Sequence, residues 1–292
     1  MSALEQEQPI VVDLATLERQ PFELRAHPTD TSFVLGQEAR QIGRGTRGWI
    51  RRLAEPDWRQ RDAPGTYGAV VRSAWINLLV AIAHGLDVDW LTPLDALNLA
   101  ENKAFQLLEA QRLGIRTPAT AVVSARDRLP PELGDPVVVK PLGPGAYRDE
   151  DGAMRVVHAH LVERGSDVLE ALGGAPFLVQ DRLEVEQHLR IVTVGQRTWC
   201  CRLDATGLPL DWRREEAAHD AFEPSMEYGD TERDATLLAQ ALRAGFSSQD
   251  WVVAANAVWF LDFNPGGQWL FLPAAVANEV TNAIADWLTE AR

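Results

Sequence analysis

The chain has few cysteines and lysines, and the cysteine shortage excludes two kinds of site. Its only two cysteines, Cys200 and Cys201, are adjacent in the strand-like run RTWCCRL. Neighbouring side chains on a strand point to opposite faces, so an ordinary disulfide between them is not expected. No histidine cluster lies near them in the sequence, and a zinc site is therefore not expected either.

Long apolar runs and an excess of positive charge are also absent. No apolar run approaches the length that spans a bilayer, and the acidic start MSALEQEQPIVVDL lacks the basic-then-apolar layout of a signal peptide. The formal net charge of −14 argues against general nucleic-acid binding, which needs a basic surface. We therefore expect a cytoplasmic protein that acts neither on nucleic acid nor at a membrane.

One segment departs from the acidic average. Seven arginines fall within 40–61, namely Arg40, Arg44, Arg47, Arg51, Arg52, Arg59 and Arg61. Such a cluster either holds an anion or an acidic partner, or forms a solvated surface whose arginines pair with the many acids. The sequence leaves both interpretations open.

The remaining composition is that of a globular protein: of 292 residues, 46% are hydrophobic and 24% are charged. This length favours two or three subdomains. In the first part, PIVVDL (9–14) and SFVLG (32–36) are predicted strands, and SAWINLLVAIAHGL (73–86) is a predicted helix. A second helix is predicted from about Ala100 to Leu113, ended by Gly114.

The second part of the chain alternates short strands with isolated helices. The predicted strands are TAVVS, PVVVK, MRVVHAHLV, FLVQDRL and LRIVTVGQRTWCCRLD. A short helix (SDVLEALGG), an amphipathic helix (ERDATLLAQALRAGF), the hairpin DWVVAANAVWFLDFNP and a C-terminal helix complete it. The pattern predicts an α+β fold with antiparallel ribbons and not a regular βαβ ladder.

The hairpin carries the first candidate site. If it turns symmetrically about Asn256, position 250 pairs with 262, and 252 pairs with 260. Asp250, Asp262 and Asn264 then share one face. Facing carboxylates repel, and a hard cation such as Mg²⁺, which favours carboxylate and carbonyl oxygens, removes that cost. The alternative is an exposed edge strand with unpaired acids.

The two lysines of the chain form the second candidate. Lys140 ends the predicted strand PVVVK, immediately before the glycine-bearing loop PLGPGAY, and Lys103 lies near the start of the second predicted helix. An ammonium group beside loop N–H groups is suited to phosphate oxygens. The loop is not a Walker A motif, which is absent from the chain. A lysine that merely faces solvent is the alternative.

Two polar stretches complete the candidates. Between two predicted strands, the backbone at 180–183 is placed to meet the edge of an adenine, with Glu186 and His188 within reach of a ribose. A salt-bridged surface is the other interpretation of this stretch. In LDWRR, the side chains of Asp211, Arg213 and Arg214 are suited to a phosphate or a carboxylate.

The order of these motifs resembles that of the ATP-grasp carboxylate–amine ligases. Within them it is most similar to the RimK-like branch and to the peptide maturases that make graspetides such as microviridins. The motifs are Asn102-Lys103, G-I-x-x-P-A-T, V-V-V-K-P, V-Q-D-x-L, L-R-I-V-T-V-G, D-W-R and D-F-N-P-G-G-Q-W, within about residues 90–272.

The resemblance implies an ATP-grasp fold, in which two antiparallel sheet subdomains clasp ATP after a small α/β pre-ATP-grasp domain. The implied domains are 1–95, 96–185 and 186–292. The implied nucleotide contacts are Lys103, Lys140, Gln180, Asp181, Leu183, Glu186 and His188. The implied Mg²⁺ ligands are Asp250, Asp262 and Asn264, and Arg190 and Arg213 face the phosphates or an acyl phosphate.

The family chemistry phosphorylates a carboxylate, which an amine or a hydroxyl then attacks. A precursor peptide crosslinked between its own side chains is the implied substrate, and a homodimer is possible. A small-molecule ligase and a nucleotide- or peptide-binding relic are the alternatives. The chain departs from the graspetide pattern at Asp181 and Asp262, where glutamate is expected, and at Gly266, where asparagine is expected.

Overall fold

The computed structural model describes residues 9–27, 30–36, 40–53, 65–143, 145–148, 151–171 and 175–290. The chain divides into two compact units. One comprises Met1–Leu97 with Thr281–Arg292, and the other comprises Asn98–Val280. Helices and antiparallel sheets occur together within the described residues, which confirms the predicted α+β class.

The first unit contains an antiparallel sheet and a long helix. Its helices are α1 (Leu14–Arg19), α2 (Tyr67–Gly85) and α3 (Leu94–Ala100), of which α3 continues past Leu97 into the second unit. Its strands are β1 (Phe22–His27), β2 (Asp30–Leu35), β3 (Arg40–Ile42), β4 (Thr46–Gly48) and β5 (Val88–Trp90). Strands β1, β2 and β3 form the sheet in that order, and β4 and β5 pair in parallel.

The strand predicted for PIVVDL is wrong. Residues 9–13 have no regular structure, and α1 begins at Leu14, where the Leu17 N–H donates to Asp13 O at 2.9 Å. A helix is favoured over a strand because Leu14 and Leu17, three residues apart, lie on one helix face and both pack in the core with Phe33. The strand predicted for SFVLG and the helix predicted for 73–86 are confirmed by β2 and α2.

Helix α2 is, by length and composition, apolar enough to cross a membrane. Leu79 and Ile82 of this helix instead pack in the core of the first unit with Phe33. A single such helix also occurs as the core helix of ordinary folded domains, so it does not indicate a membrane protein.

The second unit holds two larger antiparallel sheets. Its helices are α4 (Lys103–Arg112), α5 (Val168–Ala171), α6 (Glu216–His219) and α7 (Gly229–Ala241), and α8 (Ala274–Thr289) runs from it into the first unit. Its strands are β6 (Thr120–Val123), β7 (Val137–Pro141), β8 (Ala146–Arg148), β9 (Met154–Val156), β10 (His160–Val162), β11 (Phe177–Asp181), β12 (Gln187–Val194), β13 (Arg197–Asp204), β14 (Glu223–Pro224), β15 (Phe246–Ala254) and β16 (Ala257–Asn264).

The four-stranded sheet has the order β10-β7-β11-β6, with antiparallel neighbours throughout. Val137, Val139 and Val179 are buried in its own core beneath it. The single strand predicted for MRVVHAHLV is wrong. Residues 157–159 interrupt it, so that β9 pairs with β8 and β10 pairs with β7 in different sheets.

The five-stranded sheet has the order β14-β13-β12-β15-β16 and is also antiparallel. One face packs on α4 and α7 through buried residues such as Leu107, Leu238 and Ile191. Cys200 belongs to this core, whereas Cys201 lies opposite Arg190 in the register, and both thiols are buried and free. Both faces of this sheet are therefore covered at its centre.

The hairpin of β15 and β16 differs in register from the prediction. Its turn residues are Ala255 and Asn256, so Val252 lies opposite Trp259 and not opposite position 260. A bulge between Asp250 and Trp251 then restores the pairing of Asp250 with Asp262, as predicted. The predicted turn centre was wrong by half a residue, and the bulge compensates for this error at the pair of Asp250 and Asp262.

Candidate functional site

The candidate site lies on β15 and β16, where Asp250 faces Asp262. Asn264, two residues further along β16, lies on the same face and pairs with Ser248. The chain then turns back on itself: the Gly266 N–H donates to Asn264 Oδ1 at 3.2 Å. A Cβ on Gly267 would lie 2.7 Å from Ser248 Cβ, so only glycine allows this close approach.

Asp250 holds two arginines. Its Oδ1 accepts from Arg190 Nη1 at 2.5 Å, and its Oδ2 accepts from Arg213 Nη2. Burial alone would raise the pKa of the Asp250 carboxyl, but the charges of Arg190 and Arg213 overcome this and lower it to about 2. The same pairing raises the pKa of Arg213. The carboxyl is therefore ionised at any physiological pH.

Arg190 is almost fully buried and is oriented by more than its carboxylate partner. Its Nη2 donates to Gln268 O at 3.2 Å, an oxygen that Ser248 Oγ also approaches at 3.2 Å. The guanidinium lies 5.7 Å from the ring centroid of Phe271. Its Nε is buried and has no hydrogen-bond partner among the described residues.

Asp262 faces the ammonium of Lys103, with 3.7 Å between Oδ1 and Nζ. Lys103 is the first residue of α4, which Asn102 caps by accepting from the Phe105 N–H at 3.1 Å. The lysine and the carboxylate are each 27% exposed. This pair is therefore open to a ligand, in contrast to the buried pair of Asp250 and Arg190.

Gln106 fixes the helix that carries Lys103. Its Nε2 donates to Phe263 O at 2.7 Å, and its Oε1 accepts from the Phe263 N–H at 3.0 Å. The side chain is buried, and Nε2 also donates to Ala100 O at 2.6 Å. One amide thus joins α4 to β16 between Asp262 and Asn264. The sequence prediction did not include Gln106, because an isolated glutamine carries no pattern.

Lys140, on β7, donates to Gln180 Oε1 on β11 at 2.8 Å. The amide of Gln180 in turn donates to Thr120 Oγ1 at 2.9 Å. Burial lowers the pKa of the Lys140 ammonium to about 8, against the opposing attraction of Asp262. The influence of Asp262, Asp250, Lys103 and Arg213 on this group indicates that both lysines and the carboxylates belong to one charged cluster.

The other predicted nucleotide residues lie around the segment that joins β11 to β12. Asp181 Oδ1 accepts from the Gly134 N–H at 2.8 Å, and Glu186 Oε1 accepts from the Ala255 N–H at 3.0 Å. Leu183, which lies between these two residues in the sequence, is half-buried. His188 is buried, which lowers the pKa of its imidazole.

A cavity of about 580 Å³ borders this segment. Glu186, Leu203, Asp204, Glu215 and Ala218 are among the residues that line it. Glu186, which was predicted to reach a ribose, thus reaches a concave surface although its carboxylate also caps the turn of the β15–β16 hairpin.

Asp211 and Arg213 form a short turn beside Asp250. Asp211 is 9% exposed, and its Oδ1 accepts from both the N–H and the Nη1 of Arg213 at 3.2 Å. Trp212 between them is buried against Phe222 and Phe271, with ring centroids 5.0 and 5.8 Å away. The second oxygen of Asp211 lies 2.9 Å from His158 Nδ1. The sequence prediction did not include His158, because 53 residues separate the two partners.

Two carboxylates and an amide fit a magnesium ion in their chemistry. Within the described residues no group of three or more His, Cys, Asp or Glu side chains could hold a metal ion of any kind, so a site here needs the amide oxygen of Asn264 as well. Asp262 and Asn264 present oxygens on one strand face, which is the donor type that Mg²⁺ favours. Asp250 lies beside them, and each of its two oxygens accepts from a guanidinium group.

The arginine-rich segment lies in the first unit. Arg47 Nη1 donates to Trp287 O at 2.7 Å and to Glu290 Oε2 at 2.9 Å, and Arg44 lies 3.8 Å from Asp87. Arg47 therefore anchors the C-terminal helix, as the acid-pairing interpretation requires. Arg59 and Arg61 lie outside the described residues.

Comparison with solved structures identifies the fold. A Chryseobacterium gregarium RiPP-associated ATP-grasp ligase, in complex with ADP and a leader and core peptide, is 22% identical with a TM-score of 0.79, over 92% of this chain and 84% of that one. The macrocyclase MdnC from Microcystis aeruginosa MRC, bound with its precursor peptide MdnA, is 17% identical with a TM-score of 0.74, over 93% and 87%.

The macrocyclase MdnB from the same organism is 18% identical with a TM-score of 0.71, over 99% of this chain and 93% of that one. No protein-family model matches the chain, and no curated protein matches it in sequence. At these identities the likeness establishes architecture, and it confirms the fold that the order of motifs predicted. The chain has the fold of the ATP-grasp ligases.

Proposed function

We propose that this protein is an ATP- and Mg²⁺-dependent ligase that crosslinks side chains of a ribosomally made precursor peptide through an acyl phosphate. The observation that carries the proposal is the charged cluster on the ATP-grasp fold. Lys103, Lys140 and Arg213 converge with Asp250 and Asp262 on one site. Phosphoryl transfer needs mainly positioning and charge stabilisation, which these groups supply without a protein nucleophile.

The proposed roles follow from exposure and charge. Lys103 and Lys140 bind phosphate oxygens, since one is partly exposed and the other is set in the sheet next to the glycine-bearing loop. Arg213, the more exposed of the two arginines on Asp250, contacts the acyl phosphate, while the buried Arg190 holds Asp250 in place. Gln180, Asp181, Leu183, Glu186 and His188 surround the base and ribose.

Asp262 and Asn264, with Asp250 beside them, would hold the magnesium ion. When bound, Mg²⁺ neutralises phosphate charge and aligns the oxygens of the nucleotide. Asp250 would bind the ion only when one of its oxygens is freed from its arginine. Phosphate oxygens of the nucleotide compete with Asp250 for these guanidinium groups.

The domain limits 1–95, 96–185 and 186–292, a cytoplasmic location and the possible homodimer remain part of this proposal. The precursor peptide as substrate is supported by the relatives of like fold, which include structures with leader and core peptide or with a precursor peptide. The proposed reaction is the ADP-forming ligation of a carboxylate to a hydroxyl or an amine.

A ligase for small molecules is the second candidate. It is favoured by Gly266, which removes a side chain where the graspetide pattern has asparagine, directly after the proposed metal ligands. A non-catalytic relic is disfavoured because the lysines, arginines and carboxylates are all present and face one another.

The test is incubation of the protein with ATP, Mg²⁺ and a candidate precursor peptide, chosen from any short reading frame beside its gene that is rich in codons for Asp/Glu and Ser/Thr/Lys. Each crosslink removes one water, which mass spectrometry detects as a loss of about 18 Da, and fragmentation locates the bond. ADP release that requires free amino acids and leaves the peptide mass unchanged would instead establish the small-molecule ligase. No nucleotide turnover with either substrate would contradict both.

A further inference from the structure

His158 lies in the segment 157–159, between β9 and β10. The segment is held against the glycine-bearing loop, because the Val157 N–H donates to Gly145 O at 2.8 Å. A Cβ on Gly145 would lie 2.7 Å from Val157 O, so the two backbones touch with no room for a side chain. The position of His158 is therefore set by backbone packing.

The imidazole of His158 has a defined partner. Its Nδ1 lies 2.9 Å from Asp211 Oδ2, whose other oxygen is bonded to Arg213. Burial alone would raise the pKa of Asp211, but Arg213 and His158 hold it below its ordinary value. An ionised Asp211 can only accept, so Nδ1 carries the hydrogen and Nε2 of the neutral ring carries the lone pair.

Nε2 is placed to accept a proton from outside the protein. The His158 side chain is 31% exposed, and Nε2 has no hydrogen-bond partner within the described part of the chain. Asp211 is a poorer proton acceptor, since it is buried, has a lowered pKa and already accepts from three donors.

Arg213 links the pair of His158 and Asp211 to Asp250, which lies in the proposed reaction centre. Arg213 bonds Asp211 through Nη1 and Asp250 through Nη2. An acyl phosphate on Arg213 would therefore lie next to this pair. Attack by a hydroxyl or an amine on that group requires a base, because the nucleophile must lose a proton as its bond to carbon forms.

We propose that His158 is the general base of the ligation step and that Asp211 orients it. The acceptor oxygen or nitrogen attacks the acyl carbon, the bond from that carbon to the phosphate oxygen breaks, and phosphate leaves with the electron pair. The proton of the acceptor passes to His158 Nε2 and then to released phosphate or water. A carboxylate that fixes the tautomer and stabilises the imidazolium is the arrangement of the Ser-His-Asp triad without its serine.

This inference rests on the proposed function and is tested by separating the two chemical steps. His158→Asn keeps a donor for Asp211 but cannot accept a proton. We expect it to slow crosslinking of the precursor peptide by about 10²-fold or more, the usual scale of general-base catalysis. Hydroxylamine, a neutral and strong nucleophile, should still trap the acyl phosphate, so ATP-dependent hydroxamate formation should change by less than about threefold.

The matched control is His160→Asn, two residues away and exposed on β10, which should behave as wild type in both assays. Equal losses in crosslinking and hydroxamate formation, or no loss in either, would overturn the assignment. If wild-type protein itself forms neither product, the proposed function fails, and that failure is visible without any variant.

Discussion

Asp250 lies opposite Asp262 across the β15–β16 hairpin, although the strands slip by one residue between this pair and the turn. The repulsion of the two carboxylates is relieved by separate partners, because Arg190 and Arg213 hold Asp250 and Lys103 faces Asp262. The carboxylates are thus unequal: Asp250 is saturated by two arginines, whereas Asp262 is open to a ligand.

Replacing the open carboxylate should remove activity with little effect on folding. Asp262→Asn keeps the shape but loses the charge that would bind Mg²⁺, so we expect ADP release to fall by more than about 10²-fold. The melting temperature should change by no more than a few degrees, because the ion pair with Lys103 is partly exposed. Asp230→Asn, which alters an exposed pair with Arg233, is the control. Normal turnover in Asp262→Asn would remove the metal assignment.

Replacing the saturated carboxylate should instead destabilise the fold. Asp250→Ala leaves the buried Arg190 without its partner, a change that costs about 3–5 kcal/mol when a buried ion pair is broken from one side. Chemical denaturation of the variant, compared with Asp262→Ala, measures the difference. A loss in Asp250→Ala no larger than in Asp262→Ala would show that Arg190 is satisfied by Gln268 O alone.

Low pH should lower the free energy of unfolding of the wild-type protein through Asp250. The pKa of Asp250 is about 2 in the fold against an ordinary value of 3.8, so the folded state binds fewer protons than the unfolded chain. The stabilisation, about 2 kcal/mol, is fully present above pH 4 and is lost as the pH falls from about 4 to about 2. Denaturation midpoints across that range measure it, and Asp250→Asn should lose less stability over the same range.

Gln106 should matter for both stability and nucleotide affinity. Gln106→Leu leaves the N–H and C=O of Phe263 without their partner, and we expect a loss of about 2–4 kcal/mol, as for unsatisfied buried groups. Since α4 then loosens at Lys103, the KM for ATP should rise. Gln111→Leu, on the exposed side of the same helix, is the control. Unchanged KM with reduced stability would separate Gln106 from the positioning of Lys103.

Nucleotide affinity should fall in mild alkali because of Lys140. With a pKa of about 8, this ammonium is charged below pH 8 and loses its charge as the pH rises above it. If only the charged form binds phosphate, the Kd for ADP rises by up to roughly tenfold per pH unit above 8. Calorimetric titration checks this, with Lys140→Met expected to bind weakly at every pH. If the Kd for ADP rises equally steeply with pH in Lys140→Met, the pH dependence belongs to another group.

Several features of the site could be read in the sequence because they are local. Asp262 and Asn264 share a face since strand residues alternate with period 2. Lys140 lies next to the last residue of β7, a valine-rich strand whose valines are buried. The turn residues and the bulge were not readable, because Ala255-Asn256 carries no strong turn signal and a bulge depends on pairing across strands.

The sequence by itself determined the class of the fold and most of its strands and helices, since periodicity and motif order are properties of neighbouring residues. It also predicted the acids, lysines and arginines of the candidate site. The tertiary structure alone decided which charges meet: Arg213 and Arg190 on Asp250, Gln106 on Phe263, and His158 on Asp211 across 53 residues. Those contacts join separate elements, and their energies depend on burial and distance, which exist only once the sheets have packed.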